Sequence, residues 1–142
     1  MDLGALAGSE LGPTSWFEVT QERIDAFASA TDDHQWIHVD AARAAAGPFA
    51  GTIAHGFLTL SLIVRMLDEV LPPTGATMVN YGVDRVRFPA PLPSESRIRG
   101  RFLVESVDEQ SRGTLLRVAA TVEREHGEKP VCVADLLLLA IV

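Results

Sequence analysis

The sequence predicts an α+β fold in which one long apolar helix is wrapped by a curved antiparallel sheet. From about Ala54 to Leu71, apolar residues cover most of a helical circumference, as in a buried helix. The segments that follow alternate apolar and polar residues, which is typical of strands. Turn-forming segments at 108–113 and 126–130 join these strands as antiparallel neighbours. The combination indicates a hot-dog fold. An α+β sandwich is the alternative, and the apolar circumference of the helix favours wrapping.

Two short helices are predicted before the long one. Thr20 has the residue type and position of an N-cap for the first helix. Asp40 caps a second helix from Ala41 to Ala46, and the Gly-Pro pair that follows ends it. The long helix ends at Pro72, because proline lacks the amide hydrogen that a helix interior needs.

About four strands are predicted in the second half of the chain, near residues 79–88, 97–104, 116–123 and 131–142. The first strand changes its apolar phase between Gly82 and Asp84, which predicts a bulge or a sharp twist. The last strand is apolar in both phases, so we expect it in the centre of the sheet.

Composition narrows the function. With 142 residues, the chain is expected to form a single domain over residues 1–142. A net charge of −7 argues against a nucleic-acid partner, which would need a basic surface. Cys132 lies in an apolar run, which predicts a buried small side chain rather than a nucleophile. The longest apolar run, Leu136 to Val142, is too short for a bilayer, and the acidic N-terminus does not resemble a signal peptide. No membrane association is predicted, and the protein is expected in the cytoplasm.

Titratable residues are concentrated between the first two helices. Three of the four histidines, His34, His38 and His55, fall within 22 residues. Asp33 precedes His38 by five residues, so an irregular segment can aim both side chains at one water molecule, the carboxylate beside a proton-transfer group. The alternative is structural: Asp32 or Asp33 caps a turn and His38 hydrogen-bonds in the core. Spacing alone favours this alternative, because aspartate is common in turns.

A metal site is an alternative to this arrangement. His34 and His38 have the i, i+4 spacing that presents two ligands on one helix face. Trp36 and Ile37 interrupt any polar cluster, and no third ligand lies at a diagnostic interval. No metal site is therefore predicted.

The start of the long helix is a second candidate binding element. The first amides of a helix lack internal partners and carry the positive end of its dipole. Gly56 lets a carbonyl oxygen approach closely and stabilises negative charge there, although a tight packing turn explains the glycine equally well. His55 is expected to be structural, because the helix dipole disfavours its protonated form.

The stretch from Ala30 to Asp40 resembles the hydratase 2 motif of the MaoC-like dehydratases, which include R-specific enoyl-CoA hydratases and NodN-like proteins. The family pattern is small-Gly-Asp-x-Asn-Pro-hydrophobic-His-x-Asp, followed by a His-Gly pair that opens the central helix. Asp33 and His38 match the family's catalytic pair, and Gly56 matches its helix start. The segment 86–91, Val-Arg-Phe-Pro-Ala-Pro, is similar to the family's strand ending.

Three positions depart from the pattern. Asp32 replaces the usual glycine, Gln35 the asparagine and Trp36 the proline. The His-Gln-Trp-Ile-His form is similar to the NodN-like branch, and Gln35 and Trp36 are expected to shape the pocket. Of the two adjacent carboxylates, only Asp33 keeps the five-residue spacing to His38.

The resemblance implies a lyase of fatty acid metabolism that reversibly adds water syn to a trans-2-enoyl-CoA, giving an (R)-3-hydroxyacyl-CoA. Asp33 and His38 would hold the water and transfer its protons, and the Gly56 amide would polarise the thioester carbonyl. The substrate is a coenzyme A thioester, with no metal or redox cofactor, and a homodimer paired through its sheets is expected. A hot-dog acyl-CoA thioesterase and a non-catalytic acyl-thioester binding module are the alternatives. No arginine is assigned to the coenzyme A phosphates.

Overall fold

The computed structural model describes residues 2–142, and its centre is one antiparallel sheet of six strands. The strands are β1 (Glu10–Leu11), β2 (Phe17–Val19), β3 (Thr77–Arg87), β4 (Ser96–Gln110), β5 (Gly113–Arg124) and β6 (Cys132–Ile141). Their order across the sheet is β1, β4, β5, β6, β3, and β2 also pairs with β4. The predicted α+β hot-dog arrangement is confirmed.

Four α-helices and a short 3₁₀ helix accompany the sheet. They are the 3₁₀ helix (Leu3–Leu6), α1 (Gln21–Thr31), α2 (Trp36–Val39), α3 (Ala41–Ala45) and α4 (Gly56–Val70). Both predicted caps are confirmed: Thr20 Oγ1 accepts from the amide of Arg23 at 3.1 Å, and Asp40 Oδ1 accepts from that of Arg43 at 3.0 Å. The single turn of α2 was not predicted.

The long helix α4 begins two residues later than the sequence predicts. Ile53 forms a bridge with Pro93, and the amide of Ala54 donates to the carbonyl of Leu92 at 2.8 Å. These contacts hold the chain extended up to His55, so helical geometry starts at Gly56.

The expected burial of α4, inferred from apolar residues over most of its circumference, holds for only part of that circumference in the described chain. One face packs into the core with the inward-facing residues of β4, β5 and β6. Phe57 is 69% exposed on another face, and Val64 is exposed as well. Large apolar side chains in solvent often mark a binding surface. Phe57 and Val64 are therefore candidates for such a surface.

The four strand predictions are confirmed, with longer bounds for β3, β4 and β5 and slightly shorter ones for β6. Strand β6 lies between β5 and β3. The register of β3 shifts between Asn80 and Gly82 and again between Asp84 and Arg87, around the predicted bulge. Cys132 is buried, and burial raises the pKa of its thiol to about 11, which agrees with a core role. Among residues 2–142, none of the helices has the length and apolar character to span a membrane.

Candidate active site

The two predicted catalytic residues lie in the segment that follows α1, one in the loop and one in α2. Asp32 adopts a left-handed conformation, φ 59°, at the end of α1 and reverses the chain there. Asp33 follows in the exposed loop, and His38 lies in α2. Gln21 of α1 donates from Nε2 to the carbonyl of His38 at 2.7 Å and so ties α2 to α1.

The protonation pattern of His38 follows from its hydrogen bond. Its Nδ1 lies 2.7 Å from the carbonyl oxygen of Ile53. Because a carbonyl can only accept, Nδ1 carries the hydrogen and Nε2 keeps its lone pair in the neutral ring. Both parts of the structural alternative thus have support: Nδ1 of His38 is bonded in the core, and Asp33 Oδ1 accepts from the amide of Gln35 at 3.5 Å. These bonds leave Nε2 of His38 with its lone pair.

The pKa of His38 is lowered from its ordinary value of 6.5. Burial is the largest cause, since only 7% of the residue is exposed and a charged ring loses hydration there. The neighbouring His55 lowers the pKa further, whereas the bond to Ile53 and the charge of Asp33 raise it. His38 is accordingly neutral near pH 7.

Asp33, His38 and His55 form a compact cluster. One carboxylate oxygen of Asp33 and one ring nitrogen of each histidine all lie within 4.8 Å of one another. A single water molecule can bridge such a separation with two hydrogen bonds of about 2.8 Å. The structure thus brings together the pair that the spacing and the family resemblance singled out.

Metal ligation by the same cluster is disfavoured by ring geometry. The rings of His38 and His55 stack with centroids 3.8 Å apart and planes inclined by 24°. Nitrogen lone pairs lie in the plane of each ring, so nearly parallel rings do not aim them at one ion. His34, the other ligand considered, is exposed in the loop before α2 and does not share a helix face with His38.

A mainly apolar cavity of about 290 Å³ adjoins the cluster. Its polar wall contains His38, the helix start at Gly56 and the buried Thr59. The other lining residues are Phe49, Ile53, Ala54, Phe88, Ala90, Pro91, Leu92 and Val131. Sequence reasoning missed Thr59, although its position three residues after Gly56 places both on one helix face.

The glycine at position 56 has a steric reason as well as a chemical one. A Cβ atom there would lie 2.8 Å from Cε2 of Phe88, whose ring covers the helix start. The packing explanation is thus satisfied. The Gly56 amide nevertheless opens α4 on the cavity wall, where helix amides lack internal acceptors.

The arginines of β3 and β4 are mostly engaged in contacts within the sheet. Arg87 differs from the others, because it donates to the backbone carbonyl of Val86 at 2.8 Å, next to Phe88 on the cavity wall. Those paired with carboxylates are Arg85, Arg97, Arg99 and Arg101.

A hot-dog sheet and an aspartate–histidine cluster beside a helix start define the class of hot-dog hydro-lyases. The family model described as "MaoC like domain" matches residues 2–127, and the chain belongs to this family of dehydratases. It is 48% identical over 139 residues to 3-hydroxyacyl-thioester dehydratase Z of Mycobacterium tuberculosis, covering 96% of this chain and 92% of that protein.

Two further relatives agree with this assignment. Nodulation protein N of Rhizobium leguminosarum is 46% identical over 144 residues, covering 97% of this chain and 88% of that protein. The R-hydratase PhaJ1 of Pseudomonas aeruginosa superposes with a TM-score of 0.76 at 25% identity, covering 95% of this chain and 81% of that one. The predicted likeness to MaoC-like and NodN-like proteins is confirmed.

Proposed function

We propose that this chain catalyses the reversible syn hydration of a trans-2-enoyl-CoA to an (R)-3-hydroxyacyl-CoA. The observation that carries the proposal is the cluster of Asp33 and His38 next to the start of α4, on the wall of an apolar cavity. The names of the dehydratase and hydratase relatives support it.

In the proposed mechanism, Asp33 and His38 hold one water molecule between the carboxylate and Nε2. The water oxygen forms a bond to C3 of the enoyl group while the pair accepts one of its protons. The pair then returns a proton to C2 on the same face, which makes the addition syn. Neutral His38 suits this step, because an unprotonated Nε2 has a lone pair to offer. No electrons leave the substrate, so no redox cofactor is required.

The Gly56 amide is proposed to bind the thioester oxygen. Attack at C3 moves negative charge onto that oxygen, giving an enolate. An amide at the first turn of α4 donates a hydrogen bond and adds the favourable end of the helix dipole. The apolar walls of the cavity exclude water and strengthen this interaction.

We further propose that a second copy of the chain covers the exposed apolar surface. β3 is the outer strand of the sheet, so one edge of its backbone has no neighbouring strand in the described chain. Tyr81 on β3 is 63% exposed, and the exposed Val83 and Val64 line the same groove. Phe57, on the same helix as Val64, is exposed next to Phe88. Pairing β3 with β3 about a twofold axis would continue the sheet and bury these side chains.

Light scattering coupled to size exclusion tests the dimer. Val83→Lys places a charge on the proposed contact and should convert the dimer to monomer. Leu103→Lys is the matched control, because Leu103 is similarly exposed but lies on β4, away from the β3 edge. A wild-type chain that is monomeric at assay concentrations contradicts this assembly.

Absorbance of the conjugated enoyl thioester tests the reaction. Crotonyl-CoA and longer trans-2-enoyl-CoAs should lose this absorbance without release of free thiol. Free thiol would instead indicate a thioesterase. Binding without turnover, unaffected by Asp33→Asn or His38→Asn, would indicate the non-catalytic binding module. If neither signal appears at any chain length, hydration of CoA substrates is excluded.

A further inference from the structure

His55 occupies a central place in the cluster that the proposed mechanism does not use. Only 2% of the residue is exposed, and its ring lies between that of Phe27, at 4.8 Å, and the stacked ring of His38. It is also the residue before Gly56 and the N-cap of α4, although its side chain makes no capping hydrogen bond.

A hydrogen bond joins His55 to the loop of Asp33. Its Nε2 lies 3.0 Å from the backbone carbonyl oxygen of Asp33. That oxygen can only accept, so Nε2 carries the hydrogen. Nδ1 is buried and has no partner within residues 2–142. A buried polar atom without a partner costs free energy, which is tolerated where a site requires the group.

His55 is therefore linked to three parts of the site. It bonds to the main chain of Asp33, covers one face of the His38 ring and adjoins the Gly56 amide through the backbone. Because Asp33 is itself exposed in a loop, its backbone bond to a buried ring is what ties that loop to the core beside α4.

We infer that His55 is a positioning residue, which holds the Asp33 loop and the His38 ring in the geometry needed to share one water molecule. The inference rests on the proposed hydration. It assigns two separable contributions to His55: the hydrogen bond to Asp33 sets the carboxylate, and the stack sets the orientation and hydration of His38.

Two substitutions separate these contributions. His55→Phe keeps a ring against His38 but has no donor for the Asp33 carbonyl. His55→Gln keeps an amide donor of similar reach but removes the stacked ring. Asp33 and His55 are the titratable groups that face His38, the first raising its pKa and the second lowering it. Removing the stacked ring should therefore raise the titration midpoint of His38, the pH at which half of its rings are protonated.

The experiment combines enoyl-CoA hydration kinetics with an NMR titration of His38 in the unliganded protein. His55→Phe should lower kcat by roughly 10–100-fold with little change in KM, as expected for misplaced catalytic groups, while the midpoint of His38 stays below 6.5. His55→Gln should raise that midpoint toward 6.5 and move the acid limb of kcat/KM with it.

Phe27→Leu is the matched control, because it removes a ring contact to His55 and leaves the Asp33 bond and the His38 stack in place. It should lower the melting temperature without altering kcat or the His38 midpoint. The inference is wrong if both His55 variants keep kcat within about twofold and leave the midpoint unchanged. It is also wrong if Phe27→Leu lowers kcat as much as His55→Phe does.

The titration separates this inference from the proposed function. A wild-type protein without hydratase activity disproves the proposed function. A midpoint that still rises in His55→Gln, but not in Phe27→Leu, would then support the control of His38 by His55 in the folded protein.

Discussion

Two polar regions of the molecule contrast in how completely their groups are paired. On the sheet, Arg99 and Arg101 each donate to Glu123 at 2.8 Å. In the cluster beside α4, His38 keeps one nitrogen free of the core bond, and the buried Nδ1 of His55 has no partner among residues 2–142. On the sheet each of these charged groups has a partner of opposite charge, whereas the cluster leaves groups unsatisfied next to a cavity. Unpaired polarity, rather than density of charge, distinguishes the candidate site.

Removal of the two proposed catalytic side chains should have the largest effect. Asp33→Asn and His38→Asn should each lower kcat by roughly 10²–10⁴-fold, the usual contribution of proton transfer by a positioned side chain. If the pair acts as a unit, the double variant should be little worse than either single one. Steady-state kinetics with an enoyl-CoA measures this, and circular dichroism checks that the fold is kept. Additive losses would contradict a shared water.

Crowding at the helix start should have the next largest effect. Gly56→Ala puts a Cβ atom 2.8 Å from the Phe88 ring and must displace it. If this displacement also shifts the amide proposed to bind the thioester oxygen, kcat/KM should fall by roughly 10–100-fold. Phe88→Leu relieves the contact and serves as a second-site test, because it should restore part of the activity to Gly56→Ala. Wild-type kinetics in Gly56→Ala would remove Gly56 from the mechanism.

The pH dependence should show which form of His38 acts. The buried ring has a pKa below its ordinary 6.5, so the neutral form persists to lower pH than it would in an exposed histidine. As pH falls through this lowered pKa, Nε2 takes up a proton, and kcat/KM should decline about tenfold per pH unit. A profile of kcat/KM from pH 4.5 to 8 measures this decline on the acid side. A limb above pH 6.5 would contradict a neutral buried His38.

The paired region should respond least. Burial raises the pKa of Glu123, but hydrogen bonds from Arg99 and Arg101 outweigh it and bring the pKa below its usual range. Because these side chains are partly exposed, solvent screening limits their ion pairs. Glu123→Gln should therefore cost only about 0–1 kcal/mol in the free energy of unfolding, with kcat within twofold. Denaturant unfolding provides the measurement, and a large loss of activity would show that the sheet surface takes part in function.

Much of the fold can be predicted from the sequence, because its main strands are long enough to show a periodic pattern. Strands β3 to β6 have ten or more residues each, enough for alternation to appear, and the caps at Thr20 and Asp40 are strong local signals. The two- and three-residue strands β1 and β2 are too short to show a period, and α2 is a single turn. The exposure of Phe57 and Val64 on α4 is not visible in the sequence. An apolar residue type does not tell whether its own sheet or another surface covers the side chain.

The candidate site divides in the same way. The motif spacing predicts Asp33, His38 and Gly56, and the structure places the first two in one cluster. His55 was assigned a structural role, and only the stack at 3.8 Å and the bond to the Asp33 carbonyl indicate more. Phe88 reaches Gly56 from a distant segment of the chain, and a contact of that kind leaves no local pattern in a sequence.

The cavity wall has a consequence for how such a protein can diversify. Its polar groups, and Asp33 and His55 of the adjoining cluster, come from one continuous segment, residues 33–59, which also supplies apolar Phe49, Ile53 and Ala54. The rest of the apolar lining comes from later segments: Phe88, Ala90, Pro91, Leu92 and Val131. Under the proposed function, changes in these later segments can therefore reshape the ligand range while the segment with the proposed catalytic groups is inherited unaltered.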